Sequence, residues 1–241
     1  MTALLEVDGV CKRFSGLKAV ENVSFMVAEG SIVGLIGPNG AGKTTCFNVI
    51  AGVTKADAGE VRLAGARIDG WRPDQVCRAG IARTFQLVKP FAGLSVMDNV
   101  VVGALNASSS VRAAKAMAGE IIDELGLADK RTALAASLTL PERKRLEVAR
   151  ALATGPRLLL LDEVMAGLRP TETDHMVALL RALNARTGLT ILLIEHVMRA
   201  VMALSSRVIV LNHGEVIAAG TPAEVTRDPA VLECYLGEEA V

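Results

Sequence analysis

The sequence predicts an α/β protein in which helices cover a parallel β-sheet, and two observations carry that prediction. Apolar residues make up 51% of the 241 residues but aromatic residues only 3%, so the core consists mainly of Leu, Val, Ile and Ala. That composition suits a sheet buried on both faces. From Arg157 onward, short apolar segments alternate with helical segments, which is typical of strand–helix–strand crossovers.

The first part of the chain is predicted to be rich in strands, with a Gly-rich turn between a strand and a helix. Ser15 and Gly16 mark a turn between the first two strands. The predicted elements of this part are strands 4–10, 18–28 and 31–36, a helix 43–51, and a hairpin formed by 59–63 and 66–68.

The middle of the chain, residues 95–133, is rich in Ala, Val, Leu and Met and is predicted to form a helical lobe, with a break at Ser108-Ser109-Ser110. The predicted elements after it are helix 141–154, strands 158–161, 190–194 and 207–211, helices 171–186 and 196–204 between those strands, and a last hairpin at 214–218.

Charge and cysteine content limit the possible functions. The chain has 26 Lys plus Arg and 26 Asp plus Glu, and this zero net charge gives no support for broad nucleic-acid binding. Four cysteines lie far apart without a CxxC pair, so neither a metal site nor a disulfide framework is expected. No apolar run reaches the length of about 18 residues that a spanning helix needs, and the N-terminus lacks signal-peptide features. We expect a soluble chain whose membrane role, if any, comes through partners.

A phosphate-binding loop follows the third predicted strand. Gly37-x4-Gly42-Lys43-Thr44 opens a predicted helix, and that context separates it from a Gly-rich turn with a surface lysine. Glycines allow backbone N–H groups to turn around phosphate oxygens, and the helix N-terminus favours negative charge. We expect Lys43 to contact the β- and γ-phosphates of a nucleotide, Thr44 to bind Mg²⁺ and Thr45 to reach the α-phosphate. The predicted loop residues are Gly37, Pro38, Asn39, Gly40, Ala41, Gly42, Lys43, Thr44 and Thr45.

A nucleotide site also needs carboxylates from a neighbouring strand. The run of four leucines from Leu158 predicts a buried strand, and Asp162 and Glu163 stand at its C-terminal end, where ligands of parallel sheets bind. Asp162 is predicted to hold Mg²⁺, directly or through water, and Glu163 to activate the attacking water. Taken alone, each could be an ordinary charged residue that ends a strand.

Four further stretches narrow the class of nucleotide hydrolase. They are Phe14, Arg83-Thr84-Phe85-Gln86, Ile194-Glu195-His196 and Ala166-Gly167-Leu168. With them the chain resembles the ATPase subunit of ATP-binding-cassette (ABC) transporters. The resemblance implies a P-loop NTPase fold over 1–241: a RecA-like parallel-sheet core with an antiparallel β subdomain, residues 1–88 and 134–241, and a helical subdomain, residues 89–133.

The resemblance also implies roles for these residues. Phe14 would stack on adenine, the alternative being a core phenylalanine. Gln86 would contact Mg²⁺ or the attacking water and couple the helical lobe to the nucleotide. His196 would contact the γ-phosphate, the alternative being a strand-end histidine with ordinary partners. Residues 166–168 resemble the D-loop at the subunit interface, but Val164-Met165 stand where the family often has proline.

The signature motif departs from the family pattern Leu-Ser-Gly-Gly-Gln. The matching stretch is Leu138-Thr139-Leu140-Pro141-Glu142, and proline has no N–H for the partner subunit's γ-phosphate. Thr139 and Glu142 fit a capping box, so a good helix start is expected in place of that contact. Either the dimer is asymmetric, with one weakened site, or the change is lineage variation with little effect.

Local stretches resemble the branched-chain amino acid uptake branch of the family. They are residues 80–86, 194–196, 220–225 and 228–237. This resemblance implies a bacterial importer on the cytoplasmic face of the inner membrane that uses ATP and Mg²⁺. Its partners would be a second ATPase subunit, two permease chains and a periplasmic binding protein. Urea, amide or lipopolysaccharide transport, a non-transport ATPase and a regulatory subunit without turnover remain alternatives.

Overall fold

The computed structural model describes residues 2–85 and 89–236, except for the side chain of residue 236, and these ranges form two β-sheets with helices around them. The strands are β1 Ala3–Phe14, β2 Leu17–Ala28, β3 Ile32–Ile36, β4 Ala58–Leu63, β5 Ala66–Arg67, β6 Ile81–Arg83, β7 Leu158–Asp162, β8 Thr190–Ile194, β9 Arg207–Asn212 and β10 Glu215–Gly220. The helices are α1 Lys43–Ile50, α2 Pro73–Arg78, α3 Val96–Ala104, α4 Val111–Glu124, α5 Leu140–Leu152, α6 Pro170–Thr187, α7 Met198–Leu204, α8 Pro222–Val225 and α9 Pro229–Leu236, with 3₁₀ turns at Ala128–Lys130 and Ala135–Ser137.

The larger sheet has the strand order β10-β9-β3-β8-β7-β6. Its neighbouring strands from β9 to β6 are parallel, and only β10 joins the edge antiparallel to β9. The smaller sheet, β2-β1-β4-β5, is antiparallel. The predicted parallel-sheet core with an antiparallel β subdomain is therefore confirmed.

Helix α1 lies between the two sheets, and its buried Phe47 packs in the same apolar cluster as residues from both. Side chains that alternate along the parallel strands point to opposite sides of the sheet. In β7, Leu158 and Leu160 face the α1 side, whereas Leu159 and Leu161 face the cluster that contains α5 and α6. Burial on both faces explains why this strand is a continuous run of leucine.

Four elements were missed in the sequence, namely strand β6 and helices α2, α8 and α9. All are short, from three residues in β6 to eight in α9, so none has a periodic pattern long enough to detect. Strand β1 also runs four residues beyond the predicted end at residue 10 and reaches Phe14. A shift in its pairing with β2 after Val10 lets the strand continue past the break in its apolar pattern.

The helical lobe is formed by α3 and α4, with the predicted break between them. Ser110 caps α4 by accepting a hydrogen bond from the N–H of Ala113 at 3.2 Å. Helix α3 packs on both α4 and α5, so α5 joins the lobe to the core. The division into a nucleotide-binding core and a helical subdomain 89–133 stays a prediction. No helix in the described ranges is long and apolar enough to cross a membrane.

Candidate active site

The phosphate loop connects β3 to α1, and two of its glycines cannot be replaced without movement of the backbone. Gly37 has φ +145°, and a Cβ there would lie 1.9 Å from the Leu211 carbonyl oxygen. Gly42 has φ +100°, and its Cβ would lie 2.3 Å from the Ala19 carbonyl oxygen. Lys43 is buried, and its ammonium donates hydrogen bonds to the carbonyl oxygens of Gly37 at 2.6 Å and Pro38 at 2.8 Å. The loop thus holds the lysine charge over its own backbone.

A cleft of about 630 Å³ joins the phosphate loop to other predicted site residues. It is lined by residues 39–45 and by Glu163 and His196. Parallel strands place their carboxyl ends at one edge of the sheet, and β3, β7 and β8 are parallel neighbours. The residues that follow those three strands therefore meet, although more than a hundred positions separate some of them. His213 and the hairpin residues 16–19 also line the cleft, although no sequence motif marks them.

Asp162 ends β7 and is paired with a cation of the protein itself. Its Oδ2 accepts a hydrogen bond from Arg83 Nη2 at 2.7 Å, and both side chains are largely buried. Arg83 Nη1 also donates to Asn48 Oδ1 at 2.5 Å. The guanidinium lies 5.8 Å from the ring centroid of Phe47 and 5.9 Å from that of Phe85. One ion pair, one hydrogen bond to a neutral amide and two aromatic rings fix this arginine beside the predicted metal carboxylate.

Glu163 and His196 are in direct contact, since His196 Nε2 lies 2.9 Å from Glu163 Oε1. Glu163 has φ +51°, a left-handed conformation that is costly for a residue with a Cβ. Its N–H donates to the Ile194 carbonyl at 2.9 Å, and its own carbonyl accepts from Lys144 Nζ at 2.8 Å. Contacts from two other elements therefore hold the backbone that aims this carboxylate into the cleft.

Glu195, directly before His196, is a buried carboxyl that sequence reasoning did not assign. It is 1% exposed, and its Oε1 accepts a hydrogen bond from the N–H of Met165 at 2.8 Å. Burial raises the pKa of Glu195 to about 7, and the nearby Glu163 adds to this, whereas the Met165 N–H and Lys144 lower it. A signal existed in the sequence, because a carboxylate directly follows the apolar run from Ile191 to Ile194.

Phe14 and Gln86 are the two residues predicted at the edge of the site. Phe14 is half-exposed at the end of β1, and the ammonium of Lys12 lies 5.4 Å from its ring centroid. From the same hairpin it is residues 16–19, not Phe14, that line the cleft. The stacking role of Phe14 therefore stays a prediction. Gln86 lies outside the described residues.

The signature segment begins helix α5, and the predicted capping box is confirmed. The N–H and the hydroxyl of Thr139 both donate to Glu142 Oε2 at 2.8 Å. Leu140 is the first residue of the helix and Pro141 the second, where a missing N–H breaks no helical hydrogen bond. A Cβ on Gly167 would lie 3.2 Å from Leu140 Cδ2, so the predicted D-loop packs against the signature.

Fold and cleft together define a P-loop ATPase, and comparisons with known proteins identify its family. The family model described as ABC transporter matches residues 20–166, which is more than half of the chain. A second model, described as branched-chain amino acid ATP-binding cassette transporter, matches residues 215–241. The chain therefore belongs to the ABC transporter family, as one of its ATPase cassettes.

Individual relatives match over almost the whole chain. The chain is 39% identical to the high-affinity branched-chain amino acid transport ATP-binding protein BraF of Pseudomonas aeruginosa, and the match covers 98% of each. It is 40% identical to the corresponding protein LivG of Escherichia coli K12, again over 98% of each. A solved ATP-binding cassette of an ABC transporter in its ADP conformation has a TM-score of 0.89 and 31% identity, covering 98% of this chain and all of that one.

Proposed function

We propose that this chain binds Mg²⁺·ATP in the cleft between the phosphate loop and β7, hydrolyses it, and thereby powers uptake of branched-chain amino acids through permease partners. The observation that carries the site is the meeting of Lys43, Glu163 and His196 in one cleft. A lysine for phosphate charge, a carboxylate for proton removal and a histidine beside that carboxylate are the groups that ATP hydrolysis needs.

In this proposal the residues divide the chemical work among them. The loop N–H groups and the ammonium of Lys43 bind the phosphates and neutralise the charge that develops at the β–γ bond. Glu163 accepts a proton from the attacking water. In the structure His196 Nε2, 2.9 Å from Glu163 Oε1, donates to that oxygen, and with ATP bound the same N–H would donate to the γ-phosphate. The left-handed backbone at Glu163 is a constraint that points its carboxylate toward the loop.

The residues also fit a magnesium ion. Thr44 is exposed, and the Asp162 carboxyl group already contacts a cation, the Arg83 guanidinium, at 2.7 Å. Hard oxygen ligands of this kind, completed by phosphate oxygens and water, are those that Mg²⁺ prefers. Magnesium, when bound with ATP, would neutralise charge on the β- and γ-phosphates. Thr44 and Asp162 would hold it.

A second cassette is expected to complete the site. The signature Thr139 to Glu142 would act on the ATP of a partner ATPase, with Pro141 withholding one N–H from that phosphate. Pro141→Gly in the assembled transporter restores the donor. Stronger ATP binding or a faster rate would support the asymmetric dimer, whereas an unchanged rate and affinity would favour lineage variation.

Support for the cargo comes from the C-terminal match at residues 215–241 and from the relatives named above, which are branched-chain amino acid transport proteins. The chain is also 35% identical to the lipopolysaccharide export system ATP-binding protein LptB of Acidithiobacillus ferridurans. The test of the cargo is ATP-driven uptake of labelled leucine, isoleucine and valine. It is measured in proteoliposomes that contain the transporter purified with its own permease chains and binding protein. Uptake of urea or short amides instead would contradict the proposed cargo.

Glu163→Gln tests the catalytic part of the proposal, with Glu215→Gln on the exposed start of β10 as its control. The first variant is expected to lose about 10²–10⁴-fold in ATP hydrolysis, because the amide cannot accept the proton, while ATP binding measured by calorimetry is retained. The control keeps the wild-type rate. Equal hydrolysis by Glu163→Gln and wild type would refute Glu163 as the base, and no hydrolysis by the wild-type transporter would favour a regulatory subunit.

A further inference from the structure

We propose that Lys144 and Glu147 of helix α5 are positioning residues that fix two loops of this chain's own hydrolysis site, so that the helix carrying the signature is coupled directly to Glu163. The inference rests on the proposed function, in which the signature acts on a partner's nucleotide. Neither residue touches the cleft, so each acts through another residue rather than on ATP.

Lys144 is a charged residue in an interior position with a specific partner. It is 4% exposed, and its ammonium donates to the Glu163 carbonyl oxygen at 2.8 Å. That oxygen also accepts the N–H of Ala166 at 3.2 Å, as part of the turn after β7. Burial of a lysine is costly unless the charge is satisfied, so this contact has a strong reason to persist. It holds the backbone of Glu163, which is in a left-handed conformation.

Glu147 makes the equivalent contact with the other loop. It is 7% exposed, and its Oε1 accepts a hydrogen bond from the N–H of Phe85 at 2.5 Å. Phe85 directly precedes Gln86, the predicted glutamine of the family's coupling loop. Residues three apart on a helix lie on one face, so Lys144 and Glu147 face the core side by side. A single helical turn thus holds the backbone beside both predicted catalytic loops.

In this proposal the first turn of the same helix, directly before Lys144, faces the partner. Pro141 precedes Lys144 by three residues, which is less than one helical turn, and the Thr139–Glu142 capping box keeps this turn regular. A helix transmits displacement along its axis because its hydrogen bonds resist stretching. When the signature shifts against the partner's nucleotide, Lys144 shifts with it and moves the Glu163 carbonyl. Engagement at one ATP site would in this way set the position of the base at the other.

The test compares Lys144→Met with Arg145→Met in the complete transporter. Both remove a cation that donates to a backbone carbonyl, but Arg145 donates to Gly126 of the helical lobe at 2.9 Å. We expect Lys144→Met to lower kcat by about 10- to 100-fold, since a misplacement of about 1 Å has that effect. The Kd for ATP should not change, because the phosphate loop is intact. Lys144→Arg should restore most of kcat, and Arg145→Met should keep the wild-type value.

Two outcomes would overturn the inference. One is a wild-type kcat in folded Lys144→Met, and the other is a parallel loss of kcat, ATP affinity and unfolding midpoint that Lys144→Arg does not reverse. Should Lys144→Met fail to fold, Glu147→Leu against Glu147→Gln carries the same test, since glutamine keeps the acceptor for Phe85 and leucine does not. A selective fall of kcat in Glu147→Leu supports the inference, and equal values in the two variants overturn it. Failure of the proposed function would appear separately, as absence of hydrolysis in wild type.

Discussion

Replacement of Glu195 by glutamine should change how the stability of the protein depends on pH. Burial raises the pKa of this carboxyl from an ordinary 4.5 to about 7 in the folded chain. The folded state therefore holds a proton that the unfolded state has released, and its stabilising contribution is complete below pH 4.5. That contribution is lost as the pH rises through about 7. Glutamine keeps an oxygen for the Met165 N–H but does not titrate.

The size of the effect follows from proton linkage. The difference between 4.5 and about 7 corresponds to roughly 3 kcal/mol in total, at about 1.4 kcal/mol for each pKa unit. Between pH 5 and pH 8 the unfolded carboxyl is mostly ionised already, so most of the loss falls within that range. We therefore expect wild type to lose about 2–3 kcal/mol of unfolding free energy relative to Glu195→Gln from pH 5 to pH 8.

Urea unfolding of both proteins without nucleotide, followed by circular dichroism at several pH values, measures this difference. Glu224→Gln is the control, because hydrogen bonds from Thr221 hold the pKa of Glu224 below its ordinary value. Its contribution has the opposite sign, present at neutral pH and lost as the pH falls. Parallel pH profiles of wild type and Glu195→Gln would refute the reasoning that this buried carboxyl is protonated near pH 7.

Three further outcomes concern the metal carboxylate, the packing of the helical lobe and the phosphate-loop helix. Arg83→Gln removes the cation paired with Asp162, so the affinity of the nucleotide-free protein for Mn²⁺, measured by electron paramagnetic resonance, should increase. An unchanged affinity would contradict competition between the guanidinium and the metal ion for Asp162. Gly103→Ala should lower the unfolding free energy by about 1–3 kcal/mol, because its Cβ would lie 2.4 Å from a carbonyl oxygen of α5. Gly119→Ala has open space around its Cβ and should raise the unfolding free energy by about 0.5–1 kcal/mol. Equal effects of the two substitutions in denaturant titrations would contradict this contrast. Cys46 should resist maleimide in the native protein, since burial raises its pKa to about 12, and rapid labelling detected by mass spectrometry would show that α1 opens.

The fold was predictable from the sequence because its periodic segments are long and its key turn is chemically specific. The leucine run at 158–161 can only be buried on both faces, and the glycines of the phosphate loop are required by close approach of Leu211 and Ala19. What could not be predicted is short or depends on distant partners. Strand β6 exists because Ile81 to Arg83 pair with β7, more than seventy positions away.

The candidate site shows the same division between local and distant information. Asp162 and Glu163 were predicted because they stand at the end of a strand of the parallel sheet, and His196 because the stretch Ile194-Glu195-His196 resembles the family pattern. Lys144 was not predicted as a site residue, because Glu142, Arg143 and Arg145 give that helical turn a polar appearance. Only the packing of α5 against the turn after β7 gives this lysine a carbonyl partner. An isolated buried charge in a polar run has no local signature.

The unusual signature and the intact hydrolysis residues can be explained together. Pro141 removes one N–H from the face that would meet a partner's phosphate, yet the capping box of Thr139 and Glu142 keeps the start of α5 regular. The helix therefore still carries Lys144 to the Glu163 carbonyl, so the backbone of the proposed base stays supported. In the asymmetric dimer the partner's ATP would lose one N–H contact. Through the coupling proposed for Lys144, that loss would also alter the position of Glu163, whereas lineage variation with little effect would leave both sites unchanged.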